Sequence, residues 1–353
     1  MILVKAPGIS SLASFNDRGI AKETRKDQQK HISPECMELS KIFTLKPNRF
    51  TEDDFIKLFK KVQNCGWVKN STEHRKIRSQ LQKCCNASKN FIITQVNTPL
   101  GTSISYAAEN KKKLVTKDIF DLIPKTDPFQ CHKLKHCSVV GNAGILINSS
   151  CGAEINEADF VFRCNIPPIK DYNDDVGTKT DMVTLNPSIL RLRFQSLDSR
   201  RKPIMDYVSI YEKALVLLPA FSYSSDTSIS FKVAFTLQDF GAKQQTIFLN
   251  PSYPKSLTQF WKDQGIREMS LSTGLIILSA ALEMCEEVWV YGFWPFSKDV
   301  HGNRLLHHYF DNKMPKAVHS FPNEFYKLLL LHMKGVVKLQ VGQCEKSSVE
   351  VTS

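Results

Sequence analysis

Residues 138–144 have the sequence SVVGNAG, a short apolar strand followed at once by a glycine-rich turn. In an α/β sheet such a turn lies beyond the carboxyl end of its strand, where ligands bind. The glycines allow a ligand to approach the backbone, and Asn142 offers both a donor and an acceptor. A turn with only a structural role can have the same composition, so the stretch alone does not establish a ligand site. The stretch lacks the G-x-G-x-x-G spacing and the P-loop lysine, which argues against a dehydrogenase and a P-loop NTPase.

Similar apolar runs recur on the carboxyl side of this turn, and helical patterns separate several of them. Continuous apolar strands that alternate with helices predict a Rossmann-like α/β fold with a doubly wound, mainly parallel sheet. The predicted strands are 138–140, 160–162, 182–185, 215–218, 246–249 and 288–291, and the clearest helices are 254–264 and 273–285.

The chain before this sheet has a different composition. Residues 1–45 are polar and basic, which predicts a flexible, stem-like segment. Thr51 and the acidic residues after it resemble a helix N-terminus, and a second helix carries Ile77 and Leu81 on one face. We therefore predict a helical accessory part at 46–130, a catalytic core at 131–345 and a short tail at 346–353.

The bulk composition limits the partners and the compartment. A net charge of +12 favours anionic partners, although a basic solvated surface has the same charge. The ten cysteines include no Cys-x-x-Cys pair, which argues against a zinc ribbon. With the sequons at Asn70, Asn86 and Asn148, they favour a secretory compartment. No apolar run reaches the roughly 18 residues that a membrane span needs.

Two further groups of residues could carry chemistry. Ser272, Thr273 and Gly274 precede an apolar helix whose N-terminus suits a phosphate, although a plain helix cap has the same sequence. His307, His308 and His319 follow, and a histidine on a loop beside an anionic pocket can be a general base. The three histidines could also be structural or bind a metal, but no Asp-x-Asp marks a metal-dependent nucleotide-sugar enzyme.

These stretches together resemble the sialyltransferase family, whose four sialylmotifs occur here in the family's order over roughly residues 130–345. The long motif is represented by 137–146, 159–165, 175–177 and 186–188, the short motif by 272–275, 285–288 and 291–294, the third by 307–310, and the very short motif by 319–324.

Details at 291–296 and 307–312 resemble the α2,8-sialyltransferase branch, nearest to its sixth type. The resemblance implies transfer of sialic acid from CMP-sialic acid to a sialylated O-glycan or related glycoconjugate. A ganglioside-type enzyme that acts on glycolipid shares many of these residues and stays an alternative. The polysialylating types of the family carry a strongly basic stretch ahead of the long motif, whereas Lys111–Lys113 is short and mixed with acids. The resemblance therefore does not imply polymerisation of long chains. A non-catalytic glycan-binding protein is the rival from another functional class.

The resemblance also implies residue roles. His319 would be the general base of an inverting transfer. Asn142 and Asn165 would hold the nucleotide, and Ser272, Thr273 and Gly274 would bind the donor near its phosphate or sugar. Trp294 would line the donor pocket, while His307 and His308 would contact the donor, with His308 steadying the leaving phosphate. The family needs no metal and no other cofactor, and no nucleic acid partner is implied.

Two disulfides, Cys137–Cys285 and Cys151–Cys344, are implied by the α2,8 branch. Each would stabilise the fold by at most about 4–5 kcal/mol in a chain-entropy estimate. The family further implies a type II membrane protein of the Golgi lumen, with an N-terminal anchor helix that this sequence does not contain. The sequence leaves open whether the protein forms a homo-oligomer.

Overall fold

A computed structural model describes Cys36, Leu39 and residues 50–129, 134–266, 270–312 and 321–344. In that part of the chain, seven strands form one sheet in the order β7-β6-β5-β4-β3-β8-β9, and every neighbouring pair is parallel. The mainly parallel, doubly wound sheet predicted from the sequence is therefore confirmed. Its strands are β3 (Leu134–Val140), β4 (Phe160–Arg163), β5 (Met182–Thr184), β6 (Leu215–Leu218), β7 (Gln245–Phe248), β8 (Cys285–Tyr291) and β9 (Lys338–Gln340).

Helices cover both faces of this sheet. Alternate strand residues belong to two apolar clusters; Val161, for example, packs in one and Phe162 in the other. Both faces of the sheet are therefore buried under apolar side chains, which explains why the strands are continuous apolar runs. The helices before β3 are α1 (Glu52–Gln63), α2 (Ser71–Cys84), α3 (Ala87–Asn90) and α4 (Lys117–Leu122). Those after it are α5 (Gly152–Asn156), α6 (Asn173–Val176), α7 (Pro187–Arg193), α8 (Lys202–Val208), α9 (Ser224–Asp239), α10 (Ser252–Asp263), α11 (Thr273–Met284) and α12 (Phe321–Met333).

The predicted N-terminal helical layer is present. Thr51 and Asp54 form a reciprocal capping box at the start of α1, as the acidic first turn suggested. Phe55 and Phe59 on this helix contact the aromatic rings of Phe296 and Phe325. The layer therefore shares a core with the segment that follows β8.

A small antiparallel hairpin was not predicted. Strand β1 (Ser103–Ser105) pairs with β2 (Lys112–Leu114), and only Ile104 of these two strands is buried. Such short polar strands give no apolar run and no clear alternation, so the sequence carries no signal for them.

Both disulfides implied by the resemblance are present. Cys137 of β3 is bonded to Cys285 at the start of β8, and Cys151 to Cys344. Two more, Cys36–Cys65 and Cys84–Cys85, were not predicted. Cys137–Cys285 joins the two strands at which the order of the sheet reverses.

Several sequence-based predictions lie outside the described residues. They are most of the stem-like segment 1–45, the tail 346–353 and His319. Within the described part, no helix has the length and apolar content that crossing a bilayer requires.

Candidate active site

The strand order reverses between β3 and β8. In doubly wound sheets the crevice beyond the carboxyl ends of two such strands is where ligands bind. Here the two following turns are joined by backbone hydrogen bonds, from Gly141 N–H to the Tyr291 carbonyl at 2.8 Å and from Ala143 N–H to the Gly292 carbonyl at 3.1 Å. A Cβ atom on Gly141 would lie 2.4 Å from the Gly292 oxygen. Glycine is therefore required for these turns to approach each other.

Asn142 lies in the turn after β3, at the point where the strand order reverses. Its Nδ2 donates to the carbonyl of Cys164 at 2.8 Å, and its own carbonyl accepts from Tyr309 N–H at 2.9 Å. Its Oδ1 is buried and has no hydrogen-bond partner among the described residues. A buried acceptor without a donor costs free energy, so a ligand N–H or O–H would be bound favourably there.

Asn165, the second asparagine predicted to bind the donor, follows the neighbouring strand β4. It adopts a left-handed backbone with φ of 63°, which asparagine tolerates better than most residues. Its N–H donates to Thr184 Oγ1 at 2.8 Å, and its Oδ1 accepts from the same hydroxyl at 3.2 Å. The two asparagines thus stand at adjacent strand ends, as expected for residues that share one ligand.

The loop with His307 and His308 closes against the β3 turn. Ala143 and His308 form an isolated antiparallel bridge, and His308 Nδ1 lies 2.7 Å from Asp311 Oδ1. This contact orients the imidazole and leaves Nε2 for a ligand. The His307 ring centroid lies 4.5 Å from that of His308. Burial lowers the pKa of His307, and the neighbouring His308 lowers it further.

Ser272 caps α11 and is itself held by α12. Its Oγ accepts from Leu275 N–H at 3.1 Å, as predicted for a helix cap. Its N–H donates to Glu324 Oε1 at 2.8 Å, and its hydroxyl donates to Glu324 Oε2. Both donors of Ser272 are therefore engaged within the protein. Thr273 Oγ1 accepts from Asn186 Nδ2 at 3.1 Å, which links α11 to the end of β5.

Two aromatic residues, Phe293 and Trp294, follow β8, and the implied role of Trp294 in the donor pocket stays a prediction. Trp294 is only 4% exposed, donates from Nε1 to the Lys298 carbonyl and packs edge-on against Phe59 and Phe325. The ring of Phe293 instead lies between the two glycine elements. A Cβ on Gly141 would be 3.0 Å from it, and one on Gly274 would be 2.6 Å away. Phe293 is thus the side chain that fills the gap between the β3 turn and α11.

The sequons differ in their surroundings. Asn70 and Asn148 are exposed, whereas Asn86 is half-buried. Asn70 also caps α2, because its Oδ1 accepts from Thr72 N–H and Glu73 N–H. Its Nδ2, the atom that carries an N-glycan, takes no part in that cap. Glycosylation at the three positions stays a prediction.

Sequence reasoning missed three residues of this site: Asp311, Phe293 and Glu324 as the partner of Ser272. The spacing of Asp311, three residues after His308, could have identified it. Glu324 binds across 52 residues of sequence, and no local pattern indicates that contact.

Comparison with known proteins supplies the family. A model of glycosyltransferase family 29, the sialyltransferases, matches residues 80–336. A mammalian sialyltransferase of known crystal structure shares the fold, with a TM-score of 0.52 and 21% identity over 76% of this chain and 95% of that one.

Relatives with higher identity have more specific names. The chain is 43% identical to chimpanzee alpha-2,8-sialyltransferase 8F over 89% of this chain and 81% of the relative. It is 47% identical to the alpha-N-acetylneuraminide alpha-2,8-sialyltransferase of Xenopus tropicalis, with 80% and 82% covered. Human alpha-2,8-sialyltransferase 8E is 41% identical over 88% and 84%. The chain is therefore a sialyltransferase of glycosyltransferase family 29 and groups with the α2,8 branch of that family.

Proposed function

We propose that this protein transfers sialic acid from CMP-sialic acid to the O8 hydroxyl of a terminal sialic acid on a glycan, with inversion at the anomeric carbon. The observation that supports this most is the buried, unpartnered Oδ1 of Asn142 at the point where the strand order reverses. A nucleotide supplies N–H and O–H donors that this oxygen can accept. The names of the relatives supply the α2,8 linkage.

The donor lies, in this proposal, across the ends of β3 and β4 with its phosphate toward α11. Asn142 and Asn165 bind the nucleotide. The α11 N-terminus provides a positive dipole end near Thr273 and Gly274. Because Ser272 is engaged with Glu324, its contribution is to fix that N-terminus, and direct contact with the donor falls to the next two residues. Trp294 supports the pocket through its packing, and His307 lies beside His308 at the donor.

The chemical step needs a base for the acceptor and stabilisation for the leaving group. A ring nitrogen of His319 takes the proton from O8, O8 bonds to the anomeric carbon, and the bond from that carbon to the phosphate oxygen breaks with its electron pair on CMP. His308, oriented by Asp311, steadies the departing phosphate. Because the transition state resembles an oxocarbenium ion, positioned charges supply much of the rate enhancement.

We further propose a sialylated O-glycan or related glycoprotein acceptor, in the Golgi lumen. Disulfides that join distant parts of the chain support an oxidising compartment. The test is to incubate the purified protein and CMP-sialic acid with sialylated O-glycopeptide or with ganglioside. CMP release is measured, and the product is digested with linkage-specific sialidases. An α2,8-linked product on the glycopeptide supports the proposal. Binding of acceptor without CMP release would instead indicate a glycan-binding protein.

A further inference from the structure

An open cavity of about 330 Å³ lies between residues 168–170 and residues 203–210, which belong to α8 and the turn after it. Its walls are mostly apolar and are formed by Pro168, Ile169, Pro203, Ile210 and Tyr207. The volume is at the small end of the range for sites that bind one small molecule or one sugar unit. None of these residues belongs to the donor crevice described above.

The wall of the cavity is nevertheless linked to the turn after β3 through Pro168 and Tyr309. Pro168 is three residues beyond Asn165, and its carbonyl accepts from the hydroxyl of Tyr309 at 2.7 Å. Tyr309 is the neighbour of His308, and its N–H binds the carbonyl of Asn142. Tyr309 thus connects the wall of the cavity at Pro168 to the histidine loop.

Positive charge lies at the rim of the cavity. Arg193 donates from Nη1 to the hydroxyl of Tyr207 at 2.9 Å, with its guanidinium carbon 5.2 Å from that ring's centroid. Lys170 lines the cavity and is exposed. Asp206 also lines it, but both of its carboxylate oxygens accept from Lys202 Nζ, at 2.8 and 3.2 Å. The site therefore combines an apolar pocket with two cations and one neutralised carboxylate.

We infer that this cavity is the subsite for the terminal sialic acid of the acceptor, with the acetamido methyl group inside the apolar pocket and the carboxylate at Arg193 and Lys170. Sialic acid carries one carboxylate and one N-acetyl group, so its chemistry matches both features. The inference rests on the proposed function, because only a sialylated acceptor brings this unit beside the histidine loop. Arg193 and Tyr207 then act as specificity residues.

The test uses free sialylated oligosaccharides that differ only in N-acetyl or N-glycolyl at the terminal sialic acid. Placing a hydroxyl in an apolar pocket costs about 1–3 kcal/mol, so the wild type should use the N-glycolyl acceptor about 10- to 100-fold less well in kcat/KM. Ile210→Trp, which fills the cavity, and Arg193→Ala should each raise the acceptor KM about 5- to 150-fold, which corresponds to a loss of about 1–3 kcal/mol. The donor KM should be unchanged.

Matched controls are Leu192→Trp and Arg200→Ala, since both residues are exposed and neither lines the cavity. CMP affinity and thermal melting show whether each variant is folded. Because Arg193 is exposed, Arg193→Ala should fold and stays informative even if Ile210→Trp unfolds. Acceptor KM values within twofold of wild type in the folded variants would overturn the subsite. So would an effect confined to ceramide-linked acceptors, which would indicate a lipid in the cavity. If the wild type sialylates no sialylated acceptor at all, the proposed function fails instead.

Discussion

Glu324 on α12 accepts two hydrogen bonds from Ser272, the residue that caps α11. Glu324 is 5% exposed and Ser272 is 6% exposed, so this contact is buried. It joins the very short motif to the short motif, and it fixes the helix N-terminus at which we propose that the donor phosphate binds.

We expect Glu324→Ala to lower kcat/KM about 10- to 100-fold, because two buried donors of Ser272 lose their acceptor at a cost of about 1–3 kcal/mol. Glu324→Gln keeps one acceptor oxygen and should lose less. Steady-state kinetics with CMP-sialic acid measure both variants, with exposed Glu157→Ala as the control. Equal activity of Glu324→Ala and wild type would show that the contact does not position the site.

His319→Ala should lower the rate of transfer about 10²- to 10⁴-fold, the usual loss for a general base. CMP affinity should stay within severalfold, since the proposed role concerns the acceptor proton. Calorimetric CMP titration and turnover at saturating substrates measure the two effects. His301→Ala, at an exposed loop position, is the control. More than a tenth of wild-type activity in His319→Ala would exclude the role.

Turnover should persist in EDTA after exhaustive dialysis. The family resemblance implies a metal-independent reaction, and the described residues contain no group of three or more His, Cys, Asp or Glu side chains arranged to hold a metal. Loss of activity that added Mn²⁺ or Mg²⁺ restores would contradict this prediction.

Replacement of both Cys137 and Cys285 by alanine should lower stability and activity together. The disulfide closes a sequence separation of 148 residues, and a loop of that length stabilises the folded state by about 5 kcal/mol at most. It also joins β3 to β8 next to the proposed donor site. Removal of Cys36–Cys65, far from the crevice in sequence, is the matched control and should spare activity. Thermal melting and turnover are the measurements. Non-reducing peptide mapping that finds free thiols at Cys137 and Cys285 in active enzyme would refute the clamp.

Stability should fall as the pH drops below about 6.5. Burial lowers the pKa of both His74 and His332 to about 4, from an ordinary value of 6.5. Between pH 6.5 and pH 4 the two histidines bind protons in the unfolded chain but not in the folded one. The free energy of unfolding is therefore highest above pH 6.5 and falls progressively toward pH 4. Each histidine should lower the free energy of unfolding by about 1 kcal/mol at pH 5.5 relative to pH 7.5. Urea unfolding at the two pH values measures the change.

His332→Gln should flatten that pH dependence. In the wild type His332 Nδ1 accepts from Leu339 N–H at 3.0 Å, which requires an unprotonated nitrogen. Glutamine offers an acceptor that does not titrate. His301→Gln is the control, and an unchanged pH dependence in His332→Gln would contradict the assignment.

The sequence by itself determined the sheet and the edge at which the site lies. Strands β3 to β8 are buried on both faces, so their apolar runs are visible without tertiary information. The glycine-rich turn at Gly141 and the cap at Ser272 are likewise recognisable from residues within a few positions, whereas their contacts with Gly292 and Glu324 are not. The family resemblance added the disulfide pairs, which spacing alone could not have assigned.

Only the tertiary structure decided which groups face one another. The sequence left open whether Ser272 is part of a phosphate site or a plain helix cap, and it gave no sign that Ser272 hydrogen-bonds to Glu324 on a distant helix. The resemblance implies that Trp294 lines the donor pocket, which stays a prediction, and only the tertiary structure shows that three aromatic rings pack against it and that Phe293 lies between the glycines. The apolar cavity is built from 168–170 and 203–210, which no sequence pattern brings together. Local chemistry selects strands, turns and caps, whereas the pairing of distant side chains follows from how the layers pack.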